Sequence, residues 1–129
     1  MPIPGYDPGT VAEFTLDRAG ARLDVVAGVV PETVGLEPAA TDPPAAALSK
    51  PVELVGLDEL RAIEAIRIEL VYDPAALPPG ASPTDVAVGV ETDDGWTPIR
   101  SAVDLEETTV TAASNDRPPG STVVAMYAD

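Results

Sequence analysis

Prolines and glycines recur along the whole chain and limit the length of every regular element. The sequence has 15 prolines and 10 glycines in 129 residues. Proline is poorly tolerated inside helices and in central strands, because it lacks the amide hydrogen that both structures use. Short strands separated by turns therefore suit this sequence better than helices. The length is that of one ordinary domain and is sufficient to bury a core.

Alternating apolar and polar residues, rich in valine and threonine, mark the expected strands. We predict strands over residues 11–16, 22–26, 33–37, 50–55, 65–72, 86–91, 96–99, 108–112 and 121–128, with a short extended step at 103–105. Turns are expected at residues 17–21, 28–31, 92–95 and 115–120. Residues 38–49, which are rich in proline and alanine, are expected to form a long surface loop and the most mobile segment.

These spacings predict an all-β protein, namely an antiparallel β-sandwich of about eight or nine short strands with at most one short helix. Residues 1–10 are expected to form an extended N-terminal lead-in. Residues 11–129 are expected to form a single sandwich domain with two sub-layers, about 11–56 and 64–129.

One segment carries two competing periodicities. Helical spacing relates five apolar residues, Leu57, Leu60, Ile63, Ile66 and Leu70. Strand spacing relates three residues of the same segment, Ile66, Ile68 and Leu70. We predict one or two helical turns over residues 57–62, followed by a strand over residues 65–72. A single unbroken helix is the alternative.

The charge is strongly negative, with 22 acidic against 7 basic residues and a formal net charge of -15. Apolar residues still make up 45% of the chain, which is enough for a folded core. Lys50 is the only lysine. Molar salt shortens the Debye length to about 3 Å and so screens the repulsion between the carboxylates. We therefore interpret this as the acidic surface of a halophilic, archaeal protein; an acidic domain from a low-salt organism is the alternative.

Composition also excludes several functions. Phosphate contacts need clustered lysine or arginine, and no such cluster exists, so we expect no nucleic-acid partner. Cysteine and histidine are both absent, which removes thiolate ligands, cysteine nucleophiles and the commonest general base. No apolar run approaches the roughly 18 residues of a membrane span, so membrane insertion is not expected.

The N-terminal sequence starts at Met1 and has no visible export signal. This feature favours a virion component over a secreted surface protein. Chain ends normally fray unless something holds them. We expect a partner, or repeated copies of the chain, to hold both ends.

Several segments, in their order along the chain, resemble a β-sandwich module of archaeal and bacterial surface proteins. The pieces are IRIELVYDPAALPPG at 66–80, DVAVGVETDDGWTPI at 85–99, SAVDLEETTVTA at 101–112 and STVVAMY at 121–127. Upstream, LDVVAGVVPETVGLEP at 23–38 resembles the strand and corner of the domain shared by netrin receptors, ankyrins and tight-junction scaffolds. The resemblance implies a β-sandwich with a scaffolding role.

Some members of that family cut their own backbone at a His-Phe-Ser step shortly before the last strand. The corresponding stretch here is PPGST at residues 118–122, which keeps Ser121 but has no histidine. Because the histidine activates the serine hydroxyl in those relatives, we do not expect self-cleavage here.

Two acidic turns are candidate sites. The first could hold Ca²⁺ through the oxygen atoms of Glu91, Asp93 and Asp94, although a solvated hairpin is the interpretation we favour. The second could offer paired carboxylates for acid–base chemistry through Asp104, Glu106 and Glu107. Sites that cleave glycosidic bonds also need an aromatic cleft, and the chain has few aromatic residues, so we favour a solvated turn there too.

The remaining candidates are one aromatic residue and a few hydroxyls. Trp96 could present a platform for a sugar or a partner, but packing against the sandwich is the favoured interpretation. Ser49 beside Lys50, Ser101 and Ser121 are possible nucleophiles. None of them lies in a nucleophile elbow or has a histidine base.

We therefore expect no enzymatic activity and assign no catalytic, cofactor-binding or metal-binding residue. The expected function is that of a structural or assembly module of a halophilic archaeal virus particle, such as a turret, decoration or connector protein. An adhesion or scaffold domain of a haloarchaeal cell-surface protein is the alternative. The expected partners are proteins, either further copies of the chain or other virion or surface proteins. The expected location is the virion, or otherwise the extracellular cell surface.

Overall fold

The computed structural model describes residues 11–16, 20–31, 33–40, 42–43, 46–115 and 117–127. Two five-stranded antiparallel sheets contain all ten strands of this part of the chain. The prediction of an all-β sandwich is confirmed. The expected lead-in at residues 1–10 and the last two residues lie outside the described residues.

The strands alternate with short turns. In chain order they are β1 Val11–Leu16, β2 Ala21–Val29, β3 Gly35–Pro38, β4 Val52–Val55, β5 Arg61–Val71, β6 Val86–Thr92, β7 Gly95–Ile99, β8 Ala102–Asp104, β9 Thr109–Ser114 and β10 Thr122–Tyr127. Helical structure in the described residues is limited to three single 3-10 turns, at Leu57–Glu59, Pro74–Ala76 and Pro83–Asp85.

The two sheets are intertwined along the chain. Sheet A has the strand order β1-β2-β5-β9-β8, and sheet B has the order β3-β4-β10-β6-β7. Residues 11–56 supply two strands to each sheet, and residues 61–127 supply three to each. The two layers therefore do not coincide with the expected sub-layers 11–56 and 64–129, because each sheet is completed by strands from both segments.

One apolar core lies between the sheets. Alternate residues of the inner strands face it, which gives β2 a strictly alternating burial pattern from Ala21 to Ala27. The fully buried side chains include Leu23, Val25 and Ile66 from sheet A and Leu54, Val88, Val90 and Val123 from sheet B. Burying a side chain of this size contributes about 1.5–3 kcal/mol, so this layer dominates the stability.

The segment with two periodicities forms one 3-10 turn and a long strand with a bulge. The strand β5 begins at Arg61, so the predicted helical turns over 57–62 are wrong beyond Glu59. Along β2, the partner of Val26 is Ala65, whereas the partner of Ala27 is Ile63, which leaves Glu64 as an extra residue in β5. A bulge of this kind shifts the alternation by one residue. Apolar residues on both sides of the bulge therefore face the core, and this mimics helical spacing.

The proline- and alanine-rich segment is partly fixed against sheet B. Leu48 is buried, with 4% of its surface exposed, and its amide donates to the Ala125 carbonyl at 2.7 Å. The Tyr127 amide donates to the Ala46 carbonyl at 3.0 Å. The expectation of a surface loop is wrong for residues 46–49. These residues lie beside the end of β10, whereas β4 pairs only with its start.

Several strand limits also differ from prediction. The strand β2 runs through the expected corner to Val29, β3 begins at Gly35, β4 begins at Val52 and β9 begins at Thr109. The residue before β9, Thr108, has a φ of 51°, which is outside the extended region. The β-branched run therefore loses its first residue to the turn.

Candidate assembly edge

The four outer strands of the sandwich differ in how far they are protected against pairing with another chain. Sheet A ends in β1 and β8, and sheet B ends in β3 and β7. The strand β8 has three residues, β3 has four and ends at Pro38, and β7 contains Pro98. Short strands and proline at an edge block the addition of a further strand.

The strand β1 lacks those protections. Its six residues, VAEFTL, pair with β2 along their whole length and contain no proline, glycine or lysine. No described strand pairs with its other side. Strand β1 therefore presents a regular row of backbone N–H and C=O groups along the outer edge of sheet A.

The single charged residue of β1 takes part in an ion pair within the protein. Arg22 on β2 donates to Glu13 through an Nη2–Oε2 contact of 2.8 Å and to Asp24 through an Nε–Oδ1 contact of 3.2 Å. The hydrogen bond to Asp24, followed by the charges of Asp24 and Glu13, raises the pKa of the Arg22 guanidinium. Glu13 is therefore held against its own sheet by Arg22, although its side chain stays exposed.

This ion pair belongs to a larger pattern of alternating charge on the outer face of sheet A. The strand register gives two neighbouring rows, Glu13–Asp24–Arg67 and Thr15–Arg22–Glu69. Arg67 and Glu69 contact each other at 3.6 Å. The rows bring carboxylates and guanidinium groups together, although the chain as a whole carries a large negative excess.

The core-facing side of β1 is incompletely covered. Phe14, the only phenylalanine, and Leu16 are half-buried and pack against the core. Leu36 on β3, the edge strand of the opposite sheet, is also half-buried and packs against the same core. Strands β1 and β3 approach each other across the two sheets, so these side chains lie at the margin of the core.

The first candidate site, the acidic turn, is a two-residue hairpin between β6 and β7. Thr92 Oγ1 accepts from the Asp94 amide at 3.2 Å and donates to the Gly95 carbonyl at 3.0 Å. Gly95 has a φ of 103°, which side chains other than glycine rarely adopt. Among the described residues, no group of three or more carboxylates converges in a way that could hold a metal ion.

Trp96 lies on the outer face of sheet B, away from the core between the sheets. It pairs with Glu91, while the core-facing pairs of the same hairpin include Val88 with Ile99. It is half-buried and lines an open groove of about 850 Å³ between the hairpin and residues 119–121. Trp96 therefore lies on the edge strand of sheet B, as expected for packing at the sandwich edge, but the alternation of β7 directs it away from the core.

The second acidic turn is organised around one carboxylate. Asp104 Oδ1 accepts from the amides of Glu106 at 3.0 Å and Glu107 at 3.1 Å, so it caps the turn between β8 and β9. Glu106 and Glu107 are both exposed to solvent. The three residues are adjacent, but the Asp104 carboxylate has a structural role there.

The candidate serines are held by the backbone or stand apart. Ser101 Oγ accepts from the Val88 amide at 3.0 Å and donates to the Ile99 carbonyl at 2.8 Å. Ser49 Oγ accepts from the Ala125 amide at 2.9 Å, and its neighbour Lys50 is exposed. Ser121 is exposed just before β10. The structure does not bring these three hydroxyls together.

The edge formed by β1 was not identified from the sequence. The strand itself was predicted with its observed limits, and its lack of proline is visible in the sequence. Which strands lie at the edges depends on the order of strands in each sheet, which alternation does not encode. The ion pair between Glu13 and Arg22 could not be predicted either, because it depends on the pairing of β1 with β2.

Comparison with known proteins gives no relative from which a function could be proposed, so the proposal below is based on the geometry of the edge. No family model matches the chain, and neither curated proteins nor solved structures match it at a significant level. In the described part of the chain, no helix has the length and apolar character needed to cross a membrane.

Proposed function

We propose that this protein is a non-enzymatic structural or assembly module of a halophilic archaeal virus particle, of the turret, decoration or connector type. The observation that carries the proposal is the unprotected strand β1 beside three edges that are short or contain proline. Natural sheet proteins usually protect such edges, so an open one is typical of a surface that binds another strand.

The charge of the protein supports an environment of high salt. A net charge of -15 on a small sandwich resists association with similar proteins at low ionic strength. Salt in the molar range screens that repulsion, while backbone hydrogen bonds between strands are retained. Assembly through a strand edge is compatible with an acidic surface under these conditions.

The alternative is an adhesion or scaffold domain of a haloarchaeal cell-surface protein. The resemblance of residues 23–38 and 66–127 to the sandwich module of surface proteins and of netrin receptors, ankyrins and tight-junction scaffolds favours it. Both proposals use the same edge, and they differ in location: the virion or the extracellular surface.

Quantitative mass spectrometry of purified virus particles and of cell envelopes from the source organism separates the two. We expect peptides of this chain in the particles, at a fixed ratio to the major capsid protein. Recovery from the envelope, within a longer polypeptide, would establish the alternative. Recovery from the cytosol alone contradicts both.

A separate measurement tests the non-enzymatic assignment. We expect the intact mass of the purified protein to stay constant over days in molar KCl, because Ser121 has no histidine to activate it. The Ser121→Ala variant is the control and should behave identically. Loss of mass in the parent protein that disappears in this variant contradicts the assignment.

A further inference from the structure

We infer that two copies of this chain pair antiparallel through β1, about a two-fold axis at Phe14, and join their A sheets into one continuous sheet. The inference rests on the proposed assembly function and names its partner as a second copy. A two-fold interface uses the same surface on both copies, and a single exposed edge strand is such a surface.

The register follows from the faces of the strand. In an antiparallel pair, opposed residues must point to the same side of the sheet, so the axis must pass through a residue of β1. An axis at Glu13 opposes Glu13 to itself, and like charges in that position destabilise a sheet. An axis at Phe14 also pairs residues 12–16 of each copy and opposes no like charges. Axes further along β1 overlap fewer of its residues.

The axis at Phe14 makes the outer faces complementary in charge. It places Glu13 opposite Thr15 of the second copy, and Thr15 lies beside Arg22 in its own sheet. The row Arg67–Asp24–Glu13 of one copy therefore continues into the row Thr15–Arg22–Glu69 of the other. At both symmetric positions, the Glu13 carboxylate at the end of one row therefore meets the Thr15 hydroxyl and the Arg22 guanidinium at the start of the other row.

On the core side, the same axis brings the two Phe14 rings together. Aromatic pairs opposed across strands stabilise a sheet. Phe14 and Leu16 are only half-buried in one copy, and the second copy covers them further. The pairing also supplies roughly four to six backbone hydrogen bonds, because alternate residues of β1 have N–H and C=O groups that pair with no other described strand.

Disulfide trapping tests the seam directly, because the natural chain has no cysteine. The protein is made as two single variants, Glu13→Cys and Thr15→Cys, whose positions oppose each other across the seam. Under mild oxidation in molar KCl, we expect a covalent dimer when the two variants are mixed, and much less with either alone. Mixing Thr15→Cys with Thr97→Cys, an exposed threonine on the strand that carries Pro98, is the matched control and should not cross-link.

Other cross-linking patterns overturn the inference. Efficient cross-linking of Glu13→Cys with itself moves the axis to Glu13. Light scattering of the parent protein in the same salt shows whether the protein associates at all, and so separates a wrong seam from the absence of pairing between copies. If the protein associates but the mixture does not cross-link, assembly uses another surface. If it is monomeric at all salt and protein concentrations, the pairing of two copies is wrong, whereas the proposed function fails only if the chain is also missing from virus particles and cell envelopes.

Charge substitutions at Thr15 give a second test of the seam, because the expected order of monomer stability is the reverse of the expected order of dimer affinity. Within one copy Thr15 lies opposite Arg22, so Thr15→Glu should make the monomer slightly more stable than Thr15→Arg. Across the seam Thr15 opposes Glu13, so Thr15→Arg should dimerise more tightly than Thr15→Glu. In molar KCl, where exposed charges are largely screened, we expect the dissociation constants to differ by about threefold. Equal constants, or the reverse order, contradict the seam.

Discussion

At the scale of single residues, Gly120 is the described glycine at which an added Cβ atom would come closest to a neighbouring backbone. A Cβ atom at this position would lie 2.1 Å from the Glu91 carbonyl oxygen, which belongs to β6. We expect Gly120→Ala to lower the free energy of unfolding by about 1–3 kcal/mol, because backbone must move to make room. Denaturant titration in constant molar salt measures this. Gly35→Ala is the control, since no atom beyond its chain neighbours lies within 4 Å of a Cβ built there, and a similar loss in both variants would contradict the contact.

Thr108 is the opposite case, a residue whose side chain disfavours its own backbone conformation. Its φ is 51°, in a region that β-branched residues rarely adopt and asparagine tolerates. We expect Thr108→Asn to raise the free energy of unfolding by about 1 kcal/mol, visible as a higher melting temperature. The same substitution at Thr109, which begins β9, should lower stability because asparagine is a poor strand residue. Destabilisation at both positions would show that the conformation of Thr108 is not strained.

At the scale of elements, Arg117 fixes the loop before β10 to the 3-10 turn at Leu57–Glu59. Its Nε donates to the Leu57 carbonyl at 2.8 Å and its Nη2 to the Leu60 carbonyl at 2.6 Å. We expect Arg117→Ala to lower the free energy of unfolding by about 1–2 kcal/mol, since hydrogen bonds from a charged donor are lost. Arg117→Lys should recover less than half of it, because a lysine cannot span both carbonyls.

The exposed Arg61 provides the comparison for Arg117. It also donates to carbonyls of this turn, those of Asp58 at 3.2 Å and Leu60 at 3.0 Å, but both lie in its own strand and turn. We expect Arg61→Ala to have a smaller effect in the same denaturant titration. If the two alanine variants are equally destabilised, the long-range connection made by Arg117 contributes nothing.

At the scale of the whole molecule, the charge predicts dependence on salt. As KCl falls from molar concentration to about 0.1 M, the Debye length grows from about 3 Å to 10 Å and carboxylate repulsion is unmasked. We expect the β-sheet signal in circular dichroism to be lost on this dialysis and to return when salt is restored. NaCl should act like KCl at equal ionic strength. An unchanged spectrum and melting temperature at 0.1 M would contradict the halophilic interpretation.

The sequence by itself determined the class of the fold. Prolines and glycines limit element length, and alternation identifies the core-facing residues of strands such as β2 and β6, because each pattern acts through local backbone geometry. The tertiary structure decided what depends on neighbours distant in the chain. The bulge at Glu64 appears only against β2, and it explains the false helical spacing. The outward position of Trp96 follows from its pairing with Glu91. The exposure of β1 follows from strand order, which packing of both sheets selects and no local pattern records.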